Sequence, residues 1–128
     1  MGRYKEAAGL LDALVAEFPD NPMLRNNLVW VYATGGEMKN GKLALRHARE
    51  ALLTSPYAPA LWNTLAEAYY MSGQYDKALQ ASDQALDLLM LQNFPEKEQI
   101  SFREQNAKIK RAAESYKMLL KLDADARP

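Results

Sequence analysis

The sequence predicts an all-α fold in which antiparallel pairs of helices stack one after another. Three observations support this fold class. Apolar residues recur at spacings of three and four along six segments, which is the period of a helix with one buried face. No stretch alternates apolar and polar residues with period two, so no sheet is expected. The chain also repeats itself at an interval typical of one helix pair.

The first two helices are predicted over 4–18 and 22–34. The turn sequence Pro-Asp-Asn-Pro at 19–22 ends the first helix and starts the second. A glycine pair beginning at Gly35 then ends the second helix. The residues expected to form the buried face of the first helix are Ala7, Leu10, Leu11, Leu14, Val15 and Phe18.

Three further helices are predicted in the middle of the chain. Proline or glycine marks their ends, because proline cannot continue a helix and glycine readily adopts the conformation that closes one. Pro56 follows the third helix, and Gly73 separates the fourth from the fifth. The predicted ranges are 42–54, 59–72 and 75–92.

The tail 95–122 is predicted to form one long capping helix whose Lys, Glu and Gln residues shield the end of the stack. A degenerate fourth repeat is the alternative, because the apolar spacing from Ala112 through Tyr116 to Leu120 suits the second helix of a pair. Residues 123–128 are expected to be frayed.

Self-comparison of the sequence divides the chain into repeats. Tyr32 and Tyr69 are equivalent at an offset of 37, whereas Ala44 and Ala78 are equivalent at an offset of 34. A three-residue insertion in the loop between Tyr32 and Ala44 explains both offsets. The predicted units, within a single domain over 1–128, are a half repeat at 2–21, a repeat with the insertion at 22–58, and a repeat at 59–92.

The clearest copy of the repeat resembles the tetratricopeptide repeat. Small residues at its helix crossing let two helices approach closely, while large residues fill the space around them. The resemblance implies a right-handed superhelical stack, with a concave groove lined by the first helix of each pair. The unit at 22–58, with its longer loop, resembles a bacterial subset of these repeats. The matching residues are Trp62, Leu65, Ala66, Tyr69, Gly73, Tyr75, Ala78, Ser82 and Ala85.

Composition and charge exclude several classes of function. The chain has 128 residues, enough for one domain, and its 16 basic residues balance 16 acidic ones. Nucleic-acid binding is therefore not expected. Insertion into a membrane is not expected either, because no apolar run approaches the roughly 20 residues needed to cross a bilayer. The absence of cysteine fits a reducing compartment. Many periplasmic proteins also lack cysteine, so the sequence leaves the choice between cytoplasm and periplasm open.

No catalytic residue, cofactor or metal site is predicted, and we do not expect an enzyme. His47 is the only histidine and is interpreted as a solvated surface residue, since no second histidine or cysteine could share a metal with it. A phosphate-loop pattern runs from Gly36 to Lys42. Leu43 stands where a phosphate loop needs Ser or Thr, and the pattern follows a helix where a phosphate loop follows a strand. Nucleotide binding is therefore not expected.

The expected function is that of a scaffold that binds a protein or peptide in the groove. The resemblance places one face of the second and fourth predicted helices there. Amide side chains on this face can pair with a peptide backbone, and aromatic rings can anchor its side chains. The alternative for Trp30 is that it packs beneath the inserted loop. The candidate partner-binding residues are Asn26, Asn27, Trp30, Thr34, Asn63, Glu67, Tyr70 and Met71.

Self-assembly is the alternative function. The first unit lacks the first helix of a pair, so the face bearing Ala7, Leu11 and Leu14 lacks its usual partner. An uncovered apolar edge favours association with another chain. The sequence therefore also predicts a possible homo-oligomer, formed within a larger repeat-protein complex.

Overall fold

The fold of the protein is described by a computed structural model, which covers residues 2–34 and 40–126. Within these ranges the structure is helical throughout apart from short turns, as the all-α prediction requires, and contains no strand. The six helices are α1 (Gly2–Glu17), α2 (Pro22–Thr34), α3 (Gly41–Thr54), α4 (Pro59–Met71), α5 (Tyr75–Leu91) and α6 (Glu96–Ala126).

The helices pack in serial order. Each helix contacts the next one along the chain, and α2 also contacts α4 directly. Because α2 and α4 are the first helices of consecutive pairs, this contact joins one pair to the next. The result is a stack in which each helix pair rests on its neighbour, as expected of a helical repeat protein.

Small side chains occupy the closest helix crossings. Ala44, Ala66, Ala78 and Ala85 are all completely buried. A methyl group at these points lets the backbones approach, and any larger side chain would force the helices apart at a typical cost of about 1–3 kcal/mol. Trp62 lies beside them and its indole Nε1 donates a hydrogen bond of 2.7 Å to the carbonyl oxygen of Pro56, which fixes the ring over the preceding turn.

Turn residues set where the helices begin and end. Asn40 caps α3, because its side-chain oxygen accepts a hydrogen bond of 3.1 Å from the backbone N–H of Leu43. Pro59 occupies the first turn of α4, where a backbone N–H would have no helical partner. Gly73 follows α4 with a φ of +77°, a conformation that favours glycine because it has no Cβ.

Leu10 of α1 and Phe18, the residue directly after this helix, do not face the core as expected. Leu10 is 64% exposed and Phe18 is 50% exposed, so the prediction was wrong for both. Ala8 and Val15 are the buried residues of this helix. The reason is that, within the described ranges, α2 is the helix on which α1 mainly packs, and one helix neighbour covers only a narrow stripe of its surface.

The tail forms a single helix that extends beyond the predicted end. α6 runs to Ala126, where fraying was expected from residue 123, and its 31 residues span roughly 46 Å. Ile109 and Ala113 are its buried residues, and every residue from Glu114 to Ala126 is exposed. In the described ranges, no helix combines the length and apolar character needed to cross a bilayer.

His47 is buried, which corrects the expectation of a solvated surface histidine. Its side chain is only 6% exposed, and its imidazole stacks on the Tyr32 ring with centroids 6.0 Å apart and planes 7° from parallel. Arg25 Nη1 lies 3.2 Å from His47 Nδ1 and also contacts the Glu50 carboxylate. A guanidinium can only donate, so Nδ1 accepts, and this contact requires the neutral imidazole.

The surroundings of His47 also shift its titration. Burial lowers the pKa of His47 below its ordinary value, and the positive charges of Arg46 and Arg25 lower it further. Tyr32, whose ring stacks on His47, donates a hydrogen bond of 3.0 Å from its hydroxyl to the Asp12 carboxylate. Burial first, and then this bond, raise the pKa of Tyr32. The cluster joins α1, α2 and α3 through polar contacts in the core.

Candidate interaction site

The predicted binding residues whose side chains the structure describes lie on one side of the stack, which we call the first-helix face. It is formed by α2, α4 and the part of α6 that packs beside α4. Its centre is the junction between α2 and α4, where a threonine hydroxyl connects the two helices. Thr64 Oγ1 accepts a hydrogen bond of 3.2 Å from the indole of Trp30, and it lies 2.5 Å from Asn26 Oδ1 and 2.9 Å from the Ala60 carbonyl oxygen.

This junction fixes two of the predicted residues. The Thr64 hydroxyl has one proton, so it donates to either Asn26 or Ala60 while it accepts from Trp30. Trp30 is therefore held against the next repeat through its indole N–H, and its ring remains partly exposed. Asn27, next to this junction on α2, is exposed. A partner could therefore contact the Trp30 ring, which is held in one orientation, and the exposed side-chain amide of Asn27 beside it.

Glu67 is buried at the neighbouring junction, between α4 and α6. Its Oε2 accepts a hydrogen bond of 2.8 Å from Gln105 Nε2 and lies 3.3 Å from Lys108 Nζ. The carboxylate side chain is 10% exposed and the lysine side chain 41% exposed. Lys108 thus supplies a basic group to Glu67 from within the same chain.

Tyr70 and Met71 lie at the end of α4 and are both half-buried. The Tyr70 ring receives Lys108 Nζ at 4.5 Å from its centroid, and packs edge-on against Tyr75 with centroids 5.7 Å apart. A second edge-on contact joins Tyr75 to Tyr116 of α6. Tyr70 therefore holds α6 in place and offers only part of its ring to a partner.

Two buried amide oxygens at the junction of α4 and α6 have no hydrogen-bond partner among the described residues. They are Asn63 Oδ1 and Gln105 Oε1. Gln105 uses its Nε2 to contact Glu67 and, at 3.4 Å, the backbone oxygen of Asn63. Leaving a buried acceptor unpaired costs about 1–3 kcal/mol. This junction therefore favours any donor that can reach it, such as a peptide N–H or a water molecule.

An apolar hollow opens one helical turn away from these oxygens, where α4 and α6 both begin. Its volume is about 470 Å³, and Glu98 contributes the one charged side chain among its lining residues. A pocket of this size and character accommodates a large apolar side chain. The lining residues are Ala58, Pro59, Ala60, Phe94, Glu98, Ser101 and Phe102.

Some parts of the sequence prediction lie outside the described structure. Thr34 ends α2, but its side chain is not among the described ones. Most of the phosphate-loop pattern, 36–39, also lies outside the described residues. Gly41, at the end of that pattern, begins α3 and lies close to the hydroxyl of Ser72, so a Cβ at this position would clash.

Gln105 and Lys108 also belong to this face and were not predicted to do so. Both lie in the tail, which was interpreted as a polar shield. Their spacing from Ile109 and Ala112 was the available signal, because residues three and four apart share one side of a helix. The polar side of α6 that faces α4 thus forms hydrogen bonds to α4, in addition to covering the end of the stack.

Comparison with known families agrees with this geometry. A tetratricopeptide repeat model matches residues 1–41, and a second tetratricopeptide repeat model matches residues 37–89. No curated protein was found to match the sequence. The repeats of this family are generally protein–protein interaction modules and typically serve as scaffolds without catalytic activity. The two matches together span the first 89 residues of the chain, which therefore belongs to the tetratricopeptide repeat family.

Proposed function

We propose that the protein binds an extended peptide segment of a partner protein across its first-helix face. The observation that carries this proposal is the pair of unpaired amide oxygens, Asn63 Oδ1 and Gln105 Oε1, beside an apolar hollow. An extended peptide supplies what both features need, since it presents backbone N–H groups and, at the next residue, a side chain.

The contacts divide by chemistry. A small rotation of the half-buried Asn63 or Gln105 side chain presents its oxygen to a peptide N–H. A large apolar side chain of the peptide enters the hollow beside Ala60. Farther along, Trp30 provides a ring held by its bond to Thr64, and the exposed Asn27 donates to and accepts from the peptide backbone.

Three other predicted residues act indirectly in this proposal. Glu67 and Tyr70 hold Lys108, and so set the distance between α4 and α6. Met71 packs against the core and supports the end of α4. A carboxylate that is already paired does not select a basic ligand, so the selectivity of this face rests on shape and backbone hydrogen bonds.

The test is a peptide-display selection against the purified protein, followed by affinity measurements on the recovered peptides. Replacing Trp30 and Asn63 together by alanine should weaken binding by about tenfold or more, as expected for a central aromatic anchor and its neighbouring amide. The matched control is Tyr57→Ala with Gln92→Ala, which removes an exposed aromatic ring and an exposed amide elsewhere. Equal loss in both variants would place the site off this face.

Self-association through α1 is a second candidate function. The exposed Leu10 and Tyr4 of α1, the latter at 45% exposure, and Phe18 directly after this helix give it an apolar outer surface. Such a surface favours contact with another helix. Sedimentation over a concentration range should show a dimer or larger species that Leu10→Lys abolishes. A monomer at every concentration would remove this candidate.

A further inference from the structure

The most distinctive feature away from the first-helix face is a hollow on the opposite side of α4. It has a volume of about 370 Å³, is lined by α4 and α5, and lies next to α3 where Arg49 contacts the Tyr69 hydroxyl. We call it the α3–α5 cleft. Its lining residues are Trp62, Leu65 and Tyr69 of α4 and Lys77, Gln80, Ala81 and Gln84 of α5.

The preceding repeat shows what normally fills this position. The offsets between the repeats make Tyr32 equivalent to Tyr69, and His47 equivalent to Ala81. In the preceding repeat the His47 imidazole stacks flat on the Tyr32 ring. Ala81 has only a methyl group, so no aromatic side chain of α5 stacks on Tyr69, and the groups over this ring are the Arg49 guanidinium, 5.7 Å from its centroid, and the Lys77 ammonium. The cleft therefore lacks the ring that covers the equivalent tyrosine in the preceding repeat.

The charge balance also differs between the two repeats. Glu50, which neutralises Arg25 in the preceding repeat, has the neutral Gln84 as its equivalent. Arg49 Nη2 donates a hydrogen bond of 3.0 Å to the Tyr69 hydroxyl. Lys77 Nζ lies 6.0 Å from the centroid of the same ring.

No carboxylate in the described ranges comes within 4 Å of either cation at the cleft. The two positive groups beside Tyr69 therefore attract an anion, and the pair of charges is more selective than one alone.

We propose that the α3–α5 cleft binds a partner-protein segment in which an aromatic side chain neighbours a carboxylate. The ring stacks on Tyr69 in the way that His47 stacks on Tyr32, and the carboxylate pairs with Arg49 and Lys77. The volume of the cleft falls within the roughly 300–1,000 Å³ of sites that bind small groups. This site is independent of the proposed peptide site, because it uses the opposite side of α4.

Two cleft variants test the proposal from different directions. Arg49→Glu with Lys77→Glu reverses both charges at exposed positions, so the fold should be retained. Ala81→His places an imidazole in the cleft at the position equivalent to His47 of the preceding repeat, so the substituted side chain should fill the space meant for the ligand's ring. The matched control is Lys110→Glu with Arg111→Glu, which makes the same charge change at exposed positions of α6.

The probes are displayed random peptides, selected on the wild-type protein and then measured individually as synthetic peptides. We expect enrichment of peptides in which Trp, Tyr or Phe adjoins Asp or Glu. Each cleft variant should bind them about tenfold or more weakly, while the control and the Trp30→Ala, Asn63→Ala variant bind them normally. If Ala81→His does not fold by circular dichroism, the charge reversal decides the test.

Three results would overturn the proposal. The first is a selection with no aromatic–acidic enrichment. The second is undiminished binding of such peptides by the charge-reversal variant. The third is concentration-dependent self-association of the wild type that the charge reversal abolishes, because the occupant is then a second copy of the chain and not a different protein.

Discussion

Removing the buried side chain of Ile109 tests how α6 is attached to the stack. Ile109 is completely buried, and Ala113 is the one other buried residue of this helix. Burial of an isoleucine side chain contributes about 1.5–3 kcal/mol, and the cavity left behind adds to the loss. We therefore expect Ile109→Ala to lower the free energy of unfolding by about 3 kcal/mol, a large part of the roughly 5–15 kcal/mol available to a domain.

The assay is urea denaturation followed by circular dichroism, supported by hydrogen exchange of the amides in α6. A loss of this size corresponds to a decrease in melting temperature of about 10 °C in a chain of this length. The matched control is Ile100→Ala, the same change in the same helix at a position that is 50% exposed, which should cost less than about 1 kcal/mol. Equal effects of the two substitutions would refute the packing of α6 through Ile109.

Three further predictions concern electrostatics and turns. The pKa of His47 is lowered in the folded protein, so the free energy of unfolding should be highest above the unfolded pKa of about 6.5. It should decrease as the pH falls below that value, by at most about 1.4 kcal/mol per pH unit. Urea titrations from pH 7.5 to 5.5 should show this slope, and His47→Gln should remove it. Lys108→Ala should cost about 1–3 kcal/mol because it leaves the buried carboxylate of α4 with one contact fewer, whereas Lys117→Ala, in a pair exposed on both sides, should cost under about 0.5 kcal/mol by the same titration. Gly73→Ala should destabilise the fold by about 1 kcal/mol because Gly73 has a positive φ, while Gly9→Ala, in open helical surroundings, should stabilise it by up to about 1 kcal/mol. A higher melting temperature for Gly73→Ala, or a lower one for Gly9→Ala, would contradict this prediction.

Local signals in the sequence were sufficient for most of the helix ends and crossings. Pro59 and Gly73 each act on the backbone within one turn, so their effect does not depend on the rest of the fold. The burial of Ala66 and Ala78 follows from the repeat spacing, because equivalent positions of stacked pairs occupy equivalent crossings. These features were predictable because neighbouring residues determine them.

The features that the sequence did not predict are contacts between residues distant in the chain. The burial of His47 depends on Arg25, which lies 22 residues earlier and replaces the tryptophan of the repeat pattern. Glu67 is paired with Lys108, 41 residues later. Leu10 is exposed because α1 packs mainly on one helix, α2, in the part of the chain that the structure describes. Periodicity identifies which residues share a face, but it does not say which other helix covers that face or how completely.

The central claim is that the first-helix face holds a peptide, and amide NMR titration with a display-selected peptide tests it most directly. Peptides without an aromatic–acidic pair are used, so that the α3–α5 cleft does not contribute. The account predicts shift changes at the indole N–H of Trp30 and the side-chain amides of Asn27, Asn63 and Gln105. Changes confined to α1, α3 and α5, with these four groups unaffected at saturation, would contradict it.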